Sequence, residues 1–219
     1  ILKIENKSFD EERALYALND AKIVNCVFDG PADGESALKE ATDFSVKDSR
    51  FLLRYPLWHA KKFTVKNSEF GEGCRAATWY AIDGEFSKCK IDGVKFLREC
   101  KDMRMQECEV NSIEFGWKCA KLKLSDCPFD SLYFLFESRK IEMKDCKMKG
   151  KYSFQYVEDM VIDIGAAEYH HQGALSCTYA FEGNRIPGGT VTFTASPGAT
   201  ALNAPSISAY RLPSFTSTA

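Results

Sequence analysis

The sequence predicts an all-β chain, a single-stranded right-handed parallel β-helix whose solenoid coils are about 19 residues long. Three observations predict it. From Phe44 onward the chain can be written as successive lines of one pattern: FSVKDSRF, FTVKNSEF, GEFSKCKI, MRMQECEV, LKLSDCPF, IEMKDCKM and the opening of a last line, MVIDIG. One apolar column runs Val46, Val65, Phe86, Met105, Leu124, Met143 and Ile162, and a column of small residues runs Ser49, Ser68, Cys89, Cys108, Cys127 and Cys146. The steps are 19 residues throughout except one of 21, where Gly71-Glu72-Gly73 adds two residues at a turn. Apolar positions alternate with polar ones over two to five residues, the period of a short strand with one buried face. Helical repeats need about 33 residues or more, and the Asn/Leu signature of leucine-rich repeats is absent.

The elements follow in chain order. Residues 1–20 read as an N-terminal cap and 21–164 as the parallel β-helix. Its first coil places Cys26 in the small column, with a longer loop from Asp29 to Ser36. Each coil then needs three short strands, turning at Asp, Asn and Gly. Coils stacked about 4.8 Å apart turn every column into a ladder of like side chains. A second small column, Ala60, Ala81, Cys100, Cys119, Ser138 and Val157, marks the third strand. Two residues earlier stand Trp58, Trp79, Arg98, Trp117, Phe136 and Gln155, so the three tryptophans of the protein share one stack.

Residues 165–219 break the pattern. They contain no Lys and no Asp, and only Glu168, Glu182, Arg185 and Arg211 carry charge. Three readings fit this segment: a distinct cap over unpaired strand edges, a flexible Ser/Thr/Ala/Pro/Gly-rich tail, or out-of-frame translation of further coils. Within it Thr190 to Ala195 (TVTFTA) has the composition of a strand placed against the last coil.

Bulk properties exclude several function classes. With 29 basic and 31 acidic side chains the net charge is −2, so no basic field exists to gather nucleic acid or an anionic membrane surface. No apolar run approaches the roughly 18 residues of a membrane span. Nine cysteines are an odd count, leaving at least one without an intramolecular partner, and this favours reduced thiols and a cytoplasmic setting.

The lines NDAKIVNCVFDG, GESALKEA, YPLWHAKKFTVKNSEF and YSFQYVEDMVID resemble a mainly bacterial family, domain of unknown function 3737, over about Ile4 to Asp163. The resemblance implies a pectin-lyase-like right-handed β-helix. It carries over no activity and no catalytic residue, because the family has none established.

The ladder Cys89, Cys108, Cys127 and Cys146 is expected to be stacked buried thiols, since parallel strands aim their Cβ atoms alike and zinc needs ligands around one point. The column Trp58, Trp79, Arg98 and Trp117 offers a sugar-stacking platform if it faces outward. Shared parity with Ala60 and Ala81 points it inward instead, leaving Arg98 in need of a buried partner or an outward kink. The neighbouring column His59, Tyr80, Glu99, Lys118, Glu137 and Tyr156 should face solvent. On the first strand Glu85 and Glu142 lie three coils apart, about 14 Å, too far for the acid/base pairs of glycoside hydrolysis. The turn residues Glu107, Asp126 and Asp145 are the candidate catalytic or calcium-binding carboxylates, against the simpler account that Asp favours such turns. His170 and His171 fall in the divergent tail, and no phosphate loop, nucleophile elbow or zinc-finger spacing occurs.

These readings favour a non-catalytic β-helix scaffold or binding protein with no metal and no cofactor. The alternative is a carbohydrate-active protein, a polysaccharide lyase or hydrolase or a sugar-binding module. A carbohydrate or a protein is the expected partner, self-association through the ends or faces of the helix is open, and nucleic acid and membrane are not expected.

Overall fold

A computed structural model describes residues 1–30, 36–149 and 152–163, together with the strands Ala180–Phe181, Val191–Thr194, Ser208–Ala209 and Phe215–Thr218. The described chain is all β: parallel strands stacked in coils about 19 residues apart, a β-solenoid of about 7 turns with no helix among the described residues. An eleven-stranded sheet forms one side, from Leu2–Glu5 through Asn19–Val24, Thr42–Lys47, Lys61–Lys66, Ile82–Ser87, Lys101–Gln106, Ala120–Ser125, Arg139–Lys144 and Glu158–Asp163 into the tail strands Val191–Thr194 and Phe215–Thr218. An eight-stranded sheet of two- and three-residue strands forms the second side, beginning at Ser8–Phe9.

Register follows the repeat. Val46 pairs with Val65, Val65 with Phe86 and Met105 with Leu124, so the apolar column becomes one ladder inside the solenoid. A second ladder beside it runs Phe44, Phe63, Gly84, Met103 and Leu122. Gly84 has to be small: a Cβ there would stand 2.4 Å from Phe63 Cζ and 2.6 Å from the Met103 methyl, which fill its place from the neighbouring rungs. On the second side Phe9, Phe28, Phe51 and Phe70 stack ring on ring at 5.1, 4.7 and 4.8 Å. Such stacking adds to the transfer of several large side chains out of water.

The corners are made by left-handed residues. Asn6, Asn25, Asp48, Asn67, Lys88, Glu107, Asp126 and Asp145 all have φ between 48° and 54°. Asn and Asp tolerate this region better than other L residues, which explains their prevalence in the column. The small residue that follows locks the corner. Ser49 Oγ donates to the Lys47 carbonyl at 2.8 Å and accepts the Cys26 amide at 3.0 Å. Ser68 Oγ repeats this with the Lys66 carbonyl and the Ser49 amide. Cys127 does the same with sulfur, donating to Ser125 at 3.0 Å and accepting from the Cys108 amide at 3.4 Å.

The segment 1–20 carries the first rungs of both main sheets. A third strand is not present in every coil: hydrogen-bonded strands occur on the third side at Phe96–Arg98, Glu114–Trp117, Tyr133–Phe134 and Tyr152–Ser153, whereas residues 52–60 and 74–80 are mostly turns. In those turns Tyr55, Leu57 and His59, then Ala76, Thr78 and Tyr80, are left-handed with φ from 55° to 62°. In the tail, Val191–Thr194 pairs in parallel with Met160–Asp163, where the strand was expected. His170 and His171 lie outside the described residues, as do residues 31–35 of the long loop.

Candidate functional site

The third side carries the feature with the most unusual chemistry, a column of rings and one guanidinium along an outer edge of the solenoid. Trp58 and Trp79 stack at 5.2 Å with an interplanar angle of 11°. The Arg98 guanidinium lies 4.8 Å from the Trp79 ring centre and 5.8 Å from that of Trp117. Trp117 meets Phe136 at 4.5 Å, and Lys39 Nζ stands 6.0 Å from Trp58 at the other end. The indole N–H of Trp58 donates to the Ala76 carbonyl at 2.7 Å and that of Trp79 to the Lys95 carbonyl at 2.9 Å. Each ring is thereby pinned to the turn of the next rung.

The column is half-buried, not core. The parity that pointed it inward holds only for extended chain, and His59, with φ 56°, intervenes between Trp58 and the buried Ala60. Interior places on this side go instead to Leu57, Thr78, Leu97 and Leu135. Arg98 therefore needs no buried carboxylate, because two indole faces surround its charge.

Beside it runs the column His59, Tyr80, Glu99, Lys118, Glu137 and Tyr156, half-buried at its first two members and exposed at the rest. His59 stacks on Tyr80 at 4.9 Å, and Tyr80 turns its ring edge-on to Trp58 and Trp79. Glu99 approaches Arg98 Nε at 3.5 Å, and Lys118 pairs with Glu137 at 3.4 Å. Tyr55 packs tilted against Trp58 at 5.2 Å. Sequence reasoning missed Tyr55 and Lys39. Tyr55 is itself left-handed, φ 62°, and Lys39 belongs to the coil whose register is offset by 23 residues rather than 19, so column alignment does not find it.

The geometry constrains what this edge can do. Sugar-stacking platforms present ring faces to solvent. Here the rings face one another along the solenoid axis, and solvent meets their edges.

The outer face of the long strands holds two shallow grooves of about 420 and 510 Å³, lined in part by Asp83, Glu85 and Arg104 and by Lys123, Glu142 and Lys144. Their carboxylates are engaged: Glu85 with Arg104 at 3.7 Å, Asp83 with Arg104 at 3.8 Å and Glu142 with Lys123 at 3.3 Å. Glu85 and Glu142 stay three rungs apart, with Arg104 and Lys123 on the rungs between.

Glu107, Asp126 and Asp145 occupy successive corners, each with φ 51°, and Glu107 lies 3.8 Å from Lys88 Nζ. Among the described residues no three His, Cys, Asp or Glu side chains are grouped to hold a metal ion. The eight described cysteines are unpaired and buried. Burial raises the thiols of Cys74 and Cys119 and pushes Cys146 up to about 12, while hydrogen bonding with Cys108, then burial, raises Cys89 and Cys127; the same hydrogen bonds, from Cys127 and then Cys89, lower Cys108. The raised thiols serve as packing groups and corner locks.

No helix among the described residues is long and apolar enough to cross a membrane. Comparison with curated proteins and with solved structures yields no match. A protein-family profile matches residues 2–175, running beyond Asp163, where the resemblance read from the sequence ends. That span exceeds half the chain, and the protein accordingly belongs to the family described as protein of unknown function, DUF3737.

Proposed function

We propose that the protein is a non-catalytic β-solenoid binding protein whose recognition surface is the third-side edge, with Tyr80, Glu99, Lys118, Glu137 and Tyr156 at its front and the Trp58 to Phe136 column behind. The observation that carries this reading is the contrast in how side chains are used. The described acidic groups of the long-strand grooves, Glu85 and Glu142, stand in ion pairs with cations of neighbouring rungs, whereas the third side holds a stacked ring column at the surface. Unpaired cysteines support a reducing compartment as the place of action.

The alternative, a carbohydrate-active protein, finds support in the long-strand grooves and in the corner carboxylates Asp126 and Asp145 beside them, which follow Ser125 and Lys144 of the second groove. Incubation with a panel of acidic and neutral glycans tests it, with new reducing ends and unsaturated products as readouts. The binding reading expects no turnover. Turnover that disappears in Asp126→Ala or Asp145→Ala would replace it with an enzyme. Affinity capture with the purified protein supplies the positive arm: a defined partner retained by wild type and by Lys66→Glu on the long-strand face, but lost from Tyr80→Ala and Lys118→Glu, supports the third-side assignment. Equal loss from Lys66→Glu contradicts it.

A further inference from the structure

We infer that Arg98 is a preorganised receptor for a carboxylate group presented by the binding partner. The inference deepens the binding reading above and rests on it. A guanidinium carries five N–H donors in one plane and no acceptor. Here the guanidinium carbon stands between two indoles, 4.8 Å from the Trp79 ring centre and 5.8 Å from that of Trp117, which restrains the side chain along the solenoid axis. Arg98 Nε is buried and has no hydrogen-bond partner among the described residues, and the nearest acid, Glu99, forms an ion pair with it at 3.5 Å without a hydrogen bond. The side chain as a whole keeps 34 % of its surface exposed, so a group arriving from outside meets the terminal Nη donors rather than the buried Nε.

A fixed, stacked, part-exposed fork with unmet donors is the geometry that bidentate recognition of a planar oxyanion uses. The flanking rungs decide which oxyanion. Indole rings lie one rung above and one rung below, their centres 4.8 and 5.8 Å from the guanidinium carbon. A carboxylate is flat and enters the slot between the ring edges in the plane of the guanidinium. A phosphate places further oxygens above and below that plane, toward the indole edges. Glu99, exposed and adjacent, acts as an internal competitor that partly screens the fork in the free protein.

All three tryptophans belong to this column, so intrinsic fluorescence reports on it directly. The experiment titrates full-length protein with sodium acetate and, separately, with inorganic phosphate, against sodium chloride at matched ionic strength. Tryptophan emission and the Arg98 Nε–H resonance are followed together. The expected result is a saturable change with acetate and a weaker response to phosphate. Arg98→Lys, which keeps the charge and loses the fork, should weaken acetate binding at least tenfold, and Glu99→Gln should strengthen it. Circular dichroism checks that both variants fold, and Glu99→Gln still decides the matter if Arg98→Lys does not. An acetate response no larger than that to chloride, an equal response in Arg98→Lys, no gain in Glu99→Gln, or tighter binding of phosphate would each overturn the inference. A partner captured through Tyr80 and Lys118 without any acetate response would remove the carboxylate assignment and leave the binding function standing.

Discussion

The long-strand side and the third side belong to the same coil, yet one is continuous and the other is not. Six-residue strands line the first in every coil from Asn19–Val24 to Glu158–Asp163, with an aliphatic and aromatic interior and ion pairs outside. Hydrogen-bonded strands of two to four residues line the third only from Phe96 onward among the described residues, and left-handed residues interrupt this side throughout, at 55–59 and 76–80 and again at Lys95, Leu97, Glu99, Lys118, Leu135 and Glu137. Alternating left-handed residues no longer send side chains to opposite faces. Successive large residues can then lean outward together, held by stacking from rung to rung instead of by burial. The comparison teaches that a solenoid can present stacked aromatic groups at its surface where left-handed residues break the alternation of a side.

The energetic form of the comparison is testable by truncation on each side. Phe51 is fully buried between Phe28 and Phe70, and Phe51→Ala should cost about 3–5 kcal/mol in urea unfolding, the range for a large buried ring. Trp79 is half-buried, and Trp79→Ala forfeits a stacked pair, a cation contact and one indole hydrogen bond. About 2 kcal/mol is expected from those contributions. A loss from Trp79→Ala equal to that from Phe51→Ala would erase the distinction between a core side and a stacked side.

Alkaline pH probes the corner between the first two sides. Cys146 titrates near 12 when folded against an ordinary thiol value of 9.0, chiefly through burial. The unfolded chain therefore loses this proton first. The contribution is complete below about pH 9 and declines as the pH rises toward 12. Chemical unfolding at pH 8 and pH 10.5 should show the decline, and Cys146→Ser should reduce its slope; an unchanged slope would mean that other groups account for it. The smallest effect is expected outside the long strands. Lys123→Glu replaces a solvent-exposed pair with Glu142 by a like-charge contact and should cost under about 1 kcal/mol, less at high salt.

Legibility in the sequence followed the same division. Val46, Val65, Phe86, Met105 and Leu124 lie in extended chain, where alternation translates directly into inside and outside, and their ladder is readable from spacing alone. The placement of Trp58 was not. Its parity with Ala60 passes through His59, and a left-handed histidine carries no signal in a single sequence, unlike the Asn and Asp residues that mark the other corners. The shared tryptophan column was legible from the repeat. So was the place of Arg98 between Trp79 and Trp117, whereas the outward turn of the column was not.

Nuclear Overhauser contacts between the ring protons of Trp58 and Trp79 test the third-side geometry most directly. Indoles stacked at 5.2 Å and 11° should show inter-ring contacts, with contacts from both Trp79 and Trp117 to the Arg98 side chain and none between Trp79 and Trp117, which Arg98 separates. A spectrum without Trp58–Trp79 contacts, or one with direct Trp79–Trp117 contacts, would contradict a stacked aromatic edge on the third side.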